Sequence, residues 1–463
     1  MRRILMGLAA AGLLACTGGS GSTLPASADS GTTGTADSGA PAIADSGSDP
    51  GAGADPGTDT PATLDTLSPA DVPSPEDTGG PTCLTLPKPT GAAVTLKKGP
   101  YLQSPTSTAM TIAFEADKKA KVEGQVGVWR KGDKCLLALK TTAPTEMDVT
   151  LGMNGIPVEP VDGYLHAVTF DGLLPETAYE YAVVIGGTAS STASFRTAPT
   201  LTGGPFTIGL FGDNRTYADA HKLVVGEMAK FAPDVFVNTG DALATGGSLP
   251  DWDGFFAIEG DLLKQAPLMP AFGNHEAFLG QAYYAGYWHL PNAYDVTELN
   301  YAWAYGRSYW IVLDSNDTPS GERLAWIEQE LVKASKYPYR FLAFHHPMYT
   351  FSNHLPAAGI RKVLKPLLEK YGVSAVMNGH NHCYERFEVD GIHYIVTGGG
   401  GAPLYGINDN VVTAEKDLRK VAKKVHHFLI GEFTKDQATF KVHDVDNDMV
   451  IDTFTLLPKP IAP

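Results

Sequence analysis

The sequence predicts an all-β sandwich followed by an α/β sandwich, and three observations support this fold class. Between about residues 89 and 200, short runs of alternating apolar and polar residues are separated by Gly and Pro turns. After Pro205, strand-like apolar runs alternate with segments of helical periodicity. The chain has 463 residues, 43% of them hydrophobic, so it is long and apolar enough for two or three folded domains.

The first predicted element is an export signal over residues 1–15. Two arginines precede an apolar run from 4 to 14, which is too short to span a membrane as a mature helix. The Leu-Leu-Ala-Cys ending resembles the bacterial lipobox, which implies lipidation of Cys16 and anchoring at the cell envelope. An ordinary secretory signal is the alternative. Thr17, where an aspartate would favour the inner membrane, favours the outer membrane, with the protein periplasmic or surface-exposed.

Residues 16–82 are predicted to be a disordered acidic tether rich in Ser, Gly, Asp and Pro. The segment contains nine aspartates and one glutamate but neither lysine nor arginine, so it carries much of the formal net charge of -16. It has too few apolar residues to offset the entropy lost on ordering. The acidic balance also argues against nucleic acid as a specific partner, because a polyanion would be repelled.

Three cysteines follow the tether. In an oxidising envelope Cys83 and Cys135 are able to pair, but spacing alone does not establish the geometry, so both the paired and the free state stay open. If Cys83 and Cys135 pair, Cys383 is left as an unpaired, buried thiol.

The segment from 89 to 200 shows the period-two alternation of an antiparallel sandwich of about 110 residues. The runs that show it best are Ala109–Phe114, Tyr164–Phe170, Tyr179–Val183 and Ser194–Thr197.

The segment after residue 204 predicts an α/β sandwich that ends in antiparallel hairpins. The predicted strands are Phe206–Phe211, Asp234–Asn238, Trp310–Leu313, Phe341–Phe344 and Ser374–Met377. The predicted helices are Tyr217–Phe231, Glu322–Ala334 and Ala357–Tyr371, and the hairpins span His427–Leu456.

Polar side chains follow these strands where each strand ends. They are Asp213, Asp241, Asn274, His345, His380 and His382. Because the carboxyl ends of neighbouring strands open on one crevice, we expect these side chains to converge there. Two carboxylates, an amide oxygen and three imidazoles suit two first-row metal ions that share one carboxylate. Any one of these motifs alone is common in turns, so it is their joint occurrence that indicates a metal site.

Such a site suits phosphate esters. A monoester is doubly charged and repels hydroxide, so a hydrolase must screen that charge, generate a nucleophile near neutral pH and protonate the leaving oxygen. Histidine can supply that proton. The guanidinium of Arg215 is able to clamp a phosphate oxygen, with a surface ion pair as the alternative.

Several motifs resemble known families. Gly172–Tyr181 is similar to the strand-to-strand corner of fibronectin type III domains, while Gly99–Gln103 and Phe195–Pro199 resemble the N-terminal domain of purple acid phosphatases. The strand-end motifs resemble the calcineurin-like metallophosphoesterase superfamily, and the sandwich before them points to its purple acid phosphatase-like branch. The resemblance covers about residues 97–458. It implies a fibronectin type III-like domain at 89–200 and a four-layer α/β metallophosphoesterase sandwich with mixed sheets at 204–458.

The resemblance also implies two metal ions (Fe, Zn or Mn) bridged by Asp241. One ion would be bound by Asp213 and His382, and the other by Asn274, His345 and His380. A hydroxide between the ions would attack a small phosphorylated substrate in line, as in acid-phosphatase-like phosphomonoesterases. A phosphodiesterase or nucleotidase with the same core is one alternative, and an inactive fibronectin-bearing adhesion or interaction protein is another.

Four residues are assigned to the substrate: His275 and His354 by the resemblance, Arg215 by its guanidinium chemistry, and Asn274 as a residue expected to bind phosphate as well as metal. Asn274, His275 and Arg215 would contact the phosphate, and His275 together with His354 would help to protonate the leaving oxygen. The oligomeric state stays open.

Two positions depart from the family pattern. Purple acid phosphatases carry a tyrosine three residues after the bridging aspartate, and its tyrosinate gives the colour. Here that residue is Ala244, and Arg215 stands where the wider superfamily often has a metal-binding histidine. We therefore expect a colourless protein whose first metal is weakly held. A contribution from Tyr217 is the less favoured alternative.

Overall fold

The computed structural model describes residues 83–118, 121–149, 158–410 and 413–461. They form a β-rich domain followed by an α/β domain with mixed sheets, which confirms the predicted fold class. The predicted signal peptide, Cys16 and the tether lie outside the described residues. Within the part of the chain that is described, no helix combines the length and apolarity needed to cross a membrane.

The first domain contains two sheets. Its strands are β1 (Leu96–Gln103), β2 (Met110–Asp117), β3 (Gly124–Arg130), β4 (Ala138–Thr142), β5 (Gly163–Phe170), β6 (Ala178–Ile185), β7 (Thr188–Ala189) and β8 (Ala193–Arg196). One sheet has the order β1-β2-β5, and the other has the order β4-β3-β6-β7 with β8 also paired to β6. The core between them includes Phe114, Val126 and Tyr181. The strand β2 is buried along its whole length, so its alternation does not separate a buried face from an exposed one.

Two local features complete this domain. The backbone N–H of Leu174 donates to the Tyr179 hydroxyl at 2.9 Å and closes the corner that resembles fibronectin type III domains. Cys83 and Cys135 form a disulfide with their Cα atoms 5.2 Å apart, which answers the pairing question left open by sequence. Cys383 is a buried free thiol, as expected.

The second domain contains two mixed sheets and six α-helices within the described residues. Its strands are β9 (Phe206–Phe211), β10 (Val235–Asn238), β11 (Leu268–Pro270), β12 (Tyr301–Tyr305), β13 (Ser308–Val312), β14 (Tyr339–Ala343), β15 (Ala375–Asn378), β16 (Tyr384–Val389), β17 (Ile392–Thr397), β18 (Arg419–Lys423), β19 (His427–Phe433), β20 (Ala438–Asp444) and β21 (Met449–Leu456). Its helices are α1 (Ala218–Ala229), α2 (Leu249–Leu263), α3 (Asn274–Ala277), α4 (Gln281–Tyr287), α5 (Gly321–Ala334) and α6 (Ala358–Lys370). A short 3-10 helix spans Lys416–Leu418.

The strand order groups the parallel strands on one side of the first sheet and at the centre of the second. One sheet runs β11-β10-β9-β19-β20-β21, with β9, β10 and β11 parallel. The other runs β12-β13-β14-β15-β17-β16-β18, with β13, β14, β15 and β17 parallel. Parallel strands end at the same edge of a sheet, so the residues after β9, β10, β11, β14 and β15 are brought together.

The helices bury one face each. Ile327, Leu331 and Ala334 lie at helical spacing on α5 and are buried, whereas most of the remaining α5 residues are polar. The helices α1, α5 and α6 agree with the sequence prediction to within two residues at each end. For α2 the sequence analysis made no prediction, although Trp252, Phe255 and Phe256 form a buried aromatic face there.

The two domains pack directly on each other. The hydroxyl of Tyr101 donates to the carbonyl of Tyr287 at 2.7 Å. Lys98 is only 4% exposed, and its Nζ lies 2.6 Å from Glu115 and 2.7 Å from Asp253 of α2. Lys98 thus forms a buried ion pair with Glu115 of its own domain and a second ion pair with Asp253, which links the two domains.

Candidate metal centre

The structure brings all six predicted metal ligands together at the strand ends. Asp213 follows β9 and Asp241 follows β10, while the other four follow β11, β14 and β15. The Asp213 carboxylate accepts the backbone N–H of His380 at 2.9 and 3.0 Å. Asp241 Oδ1 accepts the backbone N–H of His275 at 3.0 Å. The Asp213 bonds connect the first sheet to the second, the Asp241 bond joins the ends of β10 and β11, and together they fix the orientation of both carboxylates.

The close approach of these loops depends on two glycines. A Cβ atom added to Gly379 would lie 2.3 Å from Asp213 Oδ2, and one added to Gly273 would lie 2.3 Å from Asp241 Oδ1. Both aspartates have positive φ, 56° at Asp213 and 55° at Asp241. Left-handed backbone at non-glycine residues costs about 1–3 kcal/mol each and persists where surrounding contacts determine it, as is common at active sites.

Four residues form a first cluster, which we name the His345 cluster: Asp241, Asn274, His345 and His380. Asn274 Oδ1 lies 3.1 Å from His345 Nε2 and 3.0 Å from His380 Nδ1. The two ring nitrogens are 3.2 Å apart, and His345 Nε2 is 3.3 Å from Asp241 Oδ1. One donor atom from each of Asp241, His345 and His380 lies within 4.8 Å of the others.

The orientation of the His345 ring directs its Nε2 towards the other members of this cluster. Its Nδ1 lies 3.0 Å from the carbonyl oxygen of Thr239, to which a ring N–H donates. In the neutral ring Nε2 is then an unprotonated nitrogen, which faces the oxygens of Asn274 and Asp241. A carboxylate, an amide oxygen and two imidazoles pointing at one place form a ligand set suited to a first-row divalent metal ion.

A second cluster, which we name the His382 cluster, consists of Asp213, Asp241, His382 and Arg215. His382 Nε2 lies 3.5 Å from Asp213 Oδ1. His382 Nδ1 donates to the carbonyl oxygen of Pro403 at 2.7 Å, which leaves Nε2 as the acceptor. His382 Nε2 accepts a hydrogen bond from Arg215 Nη2 at 3.3 Å, and Arg215 Nε lies 3.4 Å from Asp241 Oδ2. This cluster therefore already contains a cation.

The pKa values reflect the negative charge at the centre. Burial alone would lower the pKa of His345, but the charges of Asp241 and Asp213 prevail and raise it to about 9. Burial alone would raise the pKa of Asp241, yet the neighbouring His345 and His275 hold it well below its usual range. Burial and the positive charge of His345 lower the pKa of His380 strongly. A field that favours positive charge at His345 also favours a metal cation there.

The other predicted residues surround the clusters. His275 Nδ1 donates to the carbonyl of Ala244 at 2.6 Å, and its Nε2 lies 3.8 Å from Asp241 Oδ2. The ring of His354 packs on that of His380 with 4.2 Å between centroids. Every site residue predicted from sequence within the described chain is therefore at this centre, although geometry alone assigns no role to any of them.

Sequence reasoning missed two residues of the centre. The Glu276 carboxylate accepts the backbone N–H groups of Asp241 at 2.8 Å, Gly273 at 2.8 Å and Leu243 at 3.1 Å. Burial, followed by the charge of Asp241, raises the pKa of Glu276 to about 7. Its position three residues after Gly273, the N-cap of α3, is a capping pattern and was an available signal.

The second missed residue is Tyr405. Its ring stacks on His382 with 3.8 Å between centroids and 17° between planes. No motif in the sequence marks it. Tyr217, the tyrosine considered as a substitute ligand, is 53% exposed.

Comparisons with known proteins agree with this geometry. The family model "Calcineurin-like phosphoesterase" matches residues 206–384, and "Purple acid Phosphatase, N-terminal domain" matches residues 99–197. Probable purple acid phosphatase 20 of Arabidopsis thaliana is 28% identical over 49% of this chain and 56% of its own length. Purple acid phosphatase 15 of the same plant is 27% identical over 52% of this chain and 54% of its own length. The chain thus spans about half the length of these relatives.

Solved structures share the fold. A purple acid phosphatase from yellow lupin seeds superposes with a TM-score of 0.66 at 20% identity, covering 77% of this chain and 73% of the other. The structure of PhoD superposes with a TM-score of 0.55 at 13% identity, covering 77% and 88%. At these identities the likeness concerns the fold.

Proposed function

We propose that this chain hydrolyses phosphate monoesters with bound metal. The matches of residues 206–384 to the calcineurin-like phosphoesterase model and of residues 99–197 to the purple acid phosphatase N-terminal model support this. The observation that carries the proposal is the His345 cluster, where a carboxylate, an amide oxygen and two imidazoles face each other at 3.0 to 3.3 Å. A metal bound there would act as a Lewis acid and lower the pKa of water.

The remaining chemistry falls to side chains at the edge of the clusters. A phosphate monoester brings two negative charges, and the Arg215 guanidinium is placed to bind one of its oxygens. His275 is held by the Ala244 carbonyl, so its Nε2 is free to contact the phosphate or to carry a proton. His354 packs on His380 and supplies a second imidazole for protonating the leaving oxygen. Leaving-group protonation matters most for alkyl esters, whose alkoxides are poor leaving groups.

Matched ester substrates test this proposal. The purified full-length chain is loaded with Zn²⁺, Mn²⁺ or Fe²⁺ and assayed on para-nitrophenyl phosphate and on bis(para-nitrophenyl) phosphate. We expect metal-dependent turnover with the monoester faster. A faster diester would indicate the phosphodiesterase alternative, and a metal-loaded protein without turnover would indicate the non-catalytic one. Asp241→Asn should abolish turnover, whereas the exposed Asp436→Asn should not.

We also propose that the chain is lipid-anchored at the cell envelope through Cys16. The lipobox-like ending and the acidic composition of residues 17–82 support this. Expressed in a Gram-negative host, the chain should fractionate with membranes, and Cys16→Ser should move it to the soluble fraction while Ser20→Ala should not. Unchanged membrane association of Cys16→Ser would contradict the anchor.

A further inference from the structure

Arg215 lies among the side chains expected to bind the first metal ion. Its Nη2 is 3.3 Å from His382 Nε2 and its Nε is 3.4 Å from Asp241 Oδ2. Of the two nitrogens in the His382 ring, Nε2 is the one that can bind a metal, because Nδ1 already donates to the carbonyl of Pro403. The guanidinium therefore donates to the His382 nitrogen that a metal ion would need, and its charge lies in ion-pair range of the Asp241 carboxylate.

Several contacts hold Arg215 in this position. Its backbone N–H donates to the carbonyl of Asp241 at 3.3 Å, and Nη1 lies 3.3 Å from the Thr216 hydroxyl. The Tyr405 ring stacks on His382, the acceptor of Arg215, with 3.8 Å between ring centroids. The Arg215 side chain is only 15% exposed. It is thus a fixed part of the cluster and not a flexible surface arginine.

The two clusters differ in what they offer a metal. The His345 cluster contains four ligands, and two of them, Asn274 and His380, are partly exposed and so accessible to an incoming ion. The His382 cluster offers three ligands, of which Asp213 is fully buried and His382 is 1% exposed. The position of the family tyrosine is Ala244, whose carbonyl is bonded to His275. The residues present fit one metal ion and do not fit the first ion of a pair.

We propose that the Arg215 guanidinium replaces the first metal ion, so that the centre binds a single metal ion in the His345 cluster. This inference rests on the proposed function, because it concerns the same site. A guanidinium stays protonated at any physiological pH and presents several N–H donors in one plane. It would supply positive charge opposite the metal and hold a phosphate oxygen, independently of metal supply.

Metal content per chain tests this inference without reference to activity. The full-length protein is incubated with excess Zn²⁺ or Mn²⁺, freed of unbound metal by gel filtration and measured by elemental analysis. We expect about one ion per chain in the wild type. Arg215→His removes the charge and adds a ligand, so it should bind about two ions. Arg215→Lys keeps the charge and should stay at about one.

Two further variants keep the test decisive. Combining Arg215→His with His382→Ala should return the content to about one ion, which assigns the added ion to the His382 cluster. If circular dichroism shows that Arg215→His is misfolded, Arg215→Ala replaces it, with a second Zn²⁺ binding event expected by calorimetry.

The outcomes separate this inference from the proposed function. About two ions in the wild type, or no added ion in folded variants that lack the charge, would overturn the inference. About one ion in a protein that hydrolyses no phosphate ester would overturn the proposed function and support the inference. A wild type that binds no metal would overturn both.

Discussion

The His345 cluster and the His382 cluster share Asp241 but differ in charge and access. The first contains only residues that we propose as metal ligands, two of which are partly exposed. The second is almost completely buried and contains the guanidinium of Arg215. The difference teaches that a ligand motif is necessary for a metal site but does not establish occupancy, because a neighbouring cation can satisfy the same carboxylate and imidazole atoms.

The largest expected effect comes from removing one histidine from each cluster. His345→Ala deletes a ligand of the only ion, so metal content should fall to near zero and monoester turnover by on the order of 1000-fold. His382→Ala deletes only the acceptor of Arg215, so the metal should remain and turnover should fall by roughly 10–100-fold. Elemental analysis and steady-state kinetics measure both. Equal loss of metal in the two variants would break the distinction between the clusters.

A change outside both clusters should affect stability and leave the centre intact. Cys83→Ser with Cys135→Ser opens a disulfide whose cysteines are 52 residues apart. The unfolded chain gains entropy, so the free energy of unfolding should fall by about 2–4 kcal/mol. Urea denaturation measures this. Metal content should match that of the wild type, and its loss would show that the centre depends on the first domain.

Glu276→Gln should loosen the backbone that positions Asp241 and so weaken metal binding in the His345 cluster. The carboxylate accepts three backbone N–H groups, from Asp241, Gly273 and Leu243, and an amide group cannot accept all of them. We expect the free energy of unfolding to fall by about 1–3 kcal/mol and metal affinity to fall by roughly 10-fold. The exposed Glu322→Gln is the matched control. Unchanged affinity in a destabilised Glu276 variant would limit its role to folding.

The smallest expected effect is a pH dependence that arises away from the clusters. Burial raises the pKa of Glu298 to about 7. The hydrogen bond that its carboxylate accepts from the Leu290 N–H lowers the pKa, but by less than burial raises it. The folded state then keeps a proton that the unfolded chain releases above about pH 4.5, so stability falls as pH rises towards 7.

Glu298→Gln should remove this loss. Since the side chain is partly exposed, we expect the free energy of unfolding of the variant, relative to wild type, to rise by about 1–2 kcal/mol between pH 5 and pH 8. Urea denaturation at both pH values measures it, with Glu322→Gln expected to track the wild type. A pH-independent difference would contradict the raised pKa and assign the pH response of the wild type to other groups.

The sequence was sufficient to predict the strands and the polar residues at their ends. It was not sufficient to predict the contacts that these residues make with distant parts of the chain. Asp213, Asp241 and His345 each follow a short buried strand, and this local pattern predicts both the strands and their shared edge. The position of the Arg215 guanidinium depends on His382, which is 167 residues away, and no local pattern encodes that contact. Tyr405 was missed for the same reason.

Pairing and packing show the same limit. The bond between Cys83 and Cys135 requires their Cα atoms to be close, which alternation within strands does not reveal. The helix α2 contains Gly254 and Gly260, which weaken its helical signal, and it is stabilised by packing of its aromatic face.

The central claim is that one metal ion binds in the His345 cluster opposite a guanidinium. A crystal of the full-length protein grown with excess Zn²⁺ and measured at the zinc absorption edge tests it most directly. The account predicts one anomalous peak within about 2.3 Å of Asn274 Oδ1, His345 Nε2 and His380 Nδ1, with Arg215 still beside His382. A second peak bonded to His382 Nε2, or no peak at His345, would contradict it.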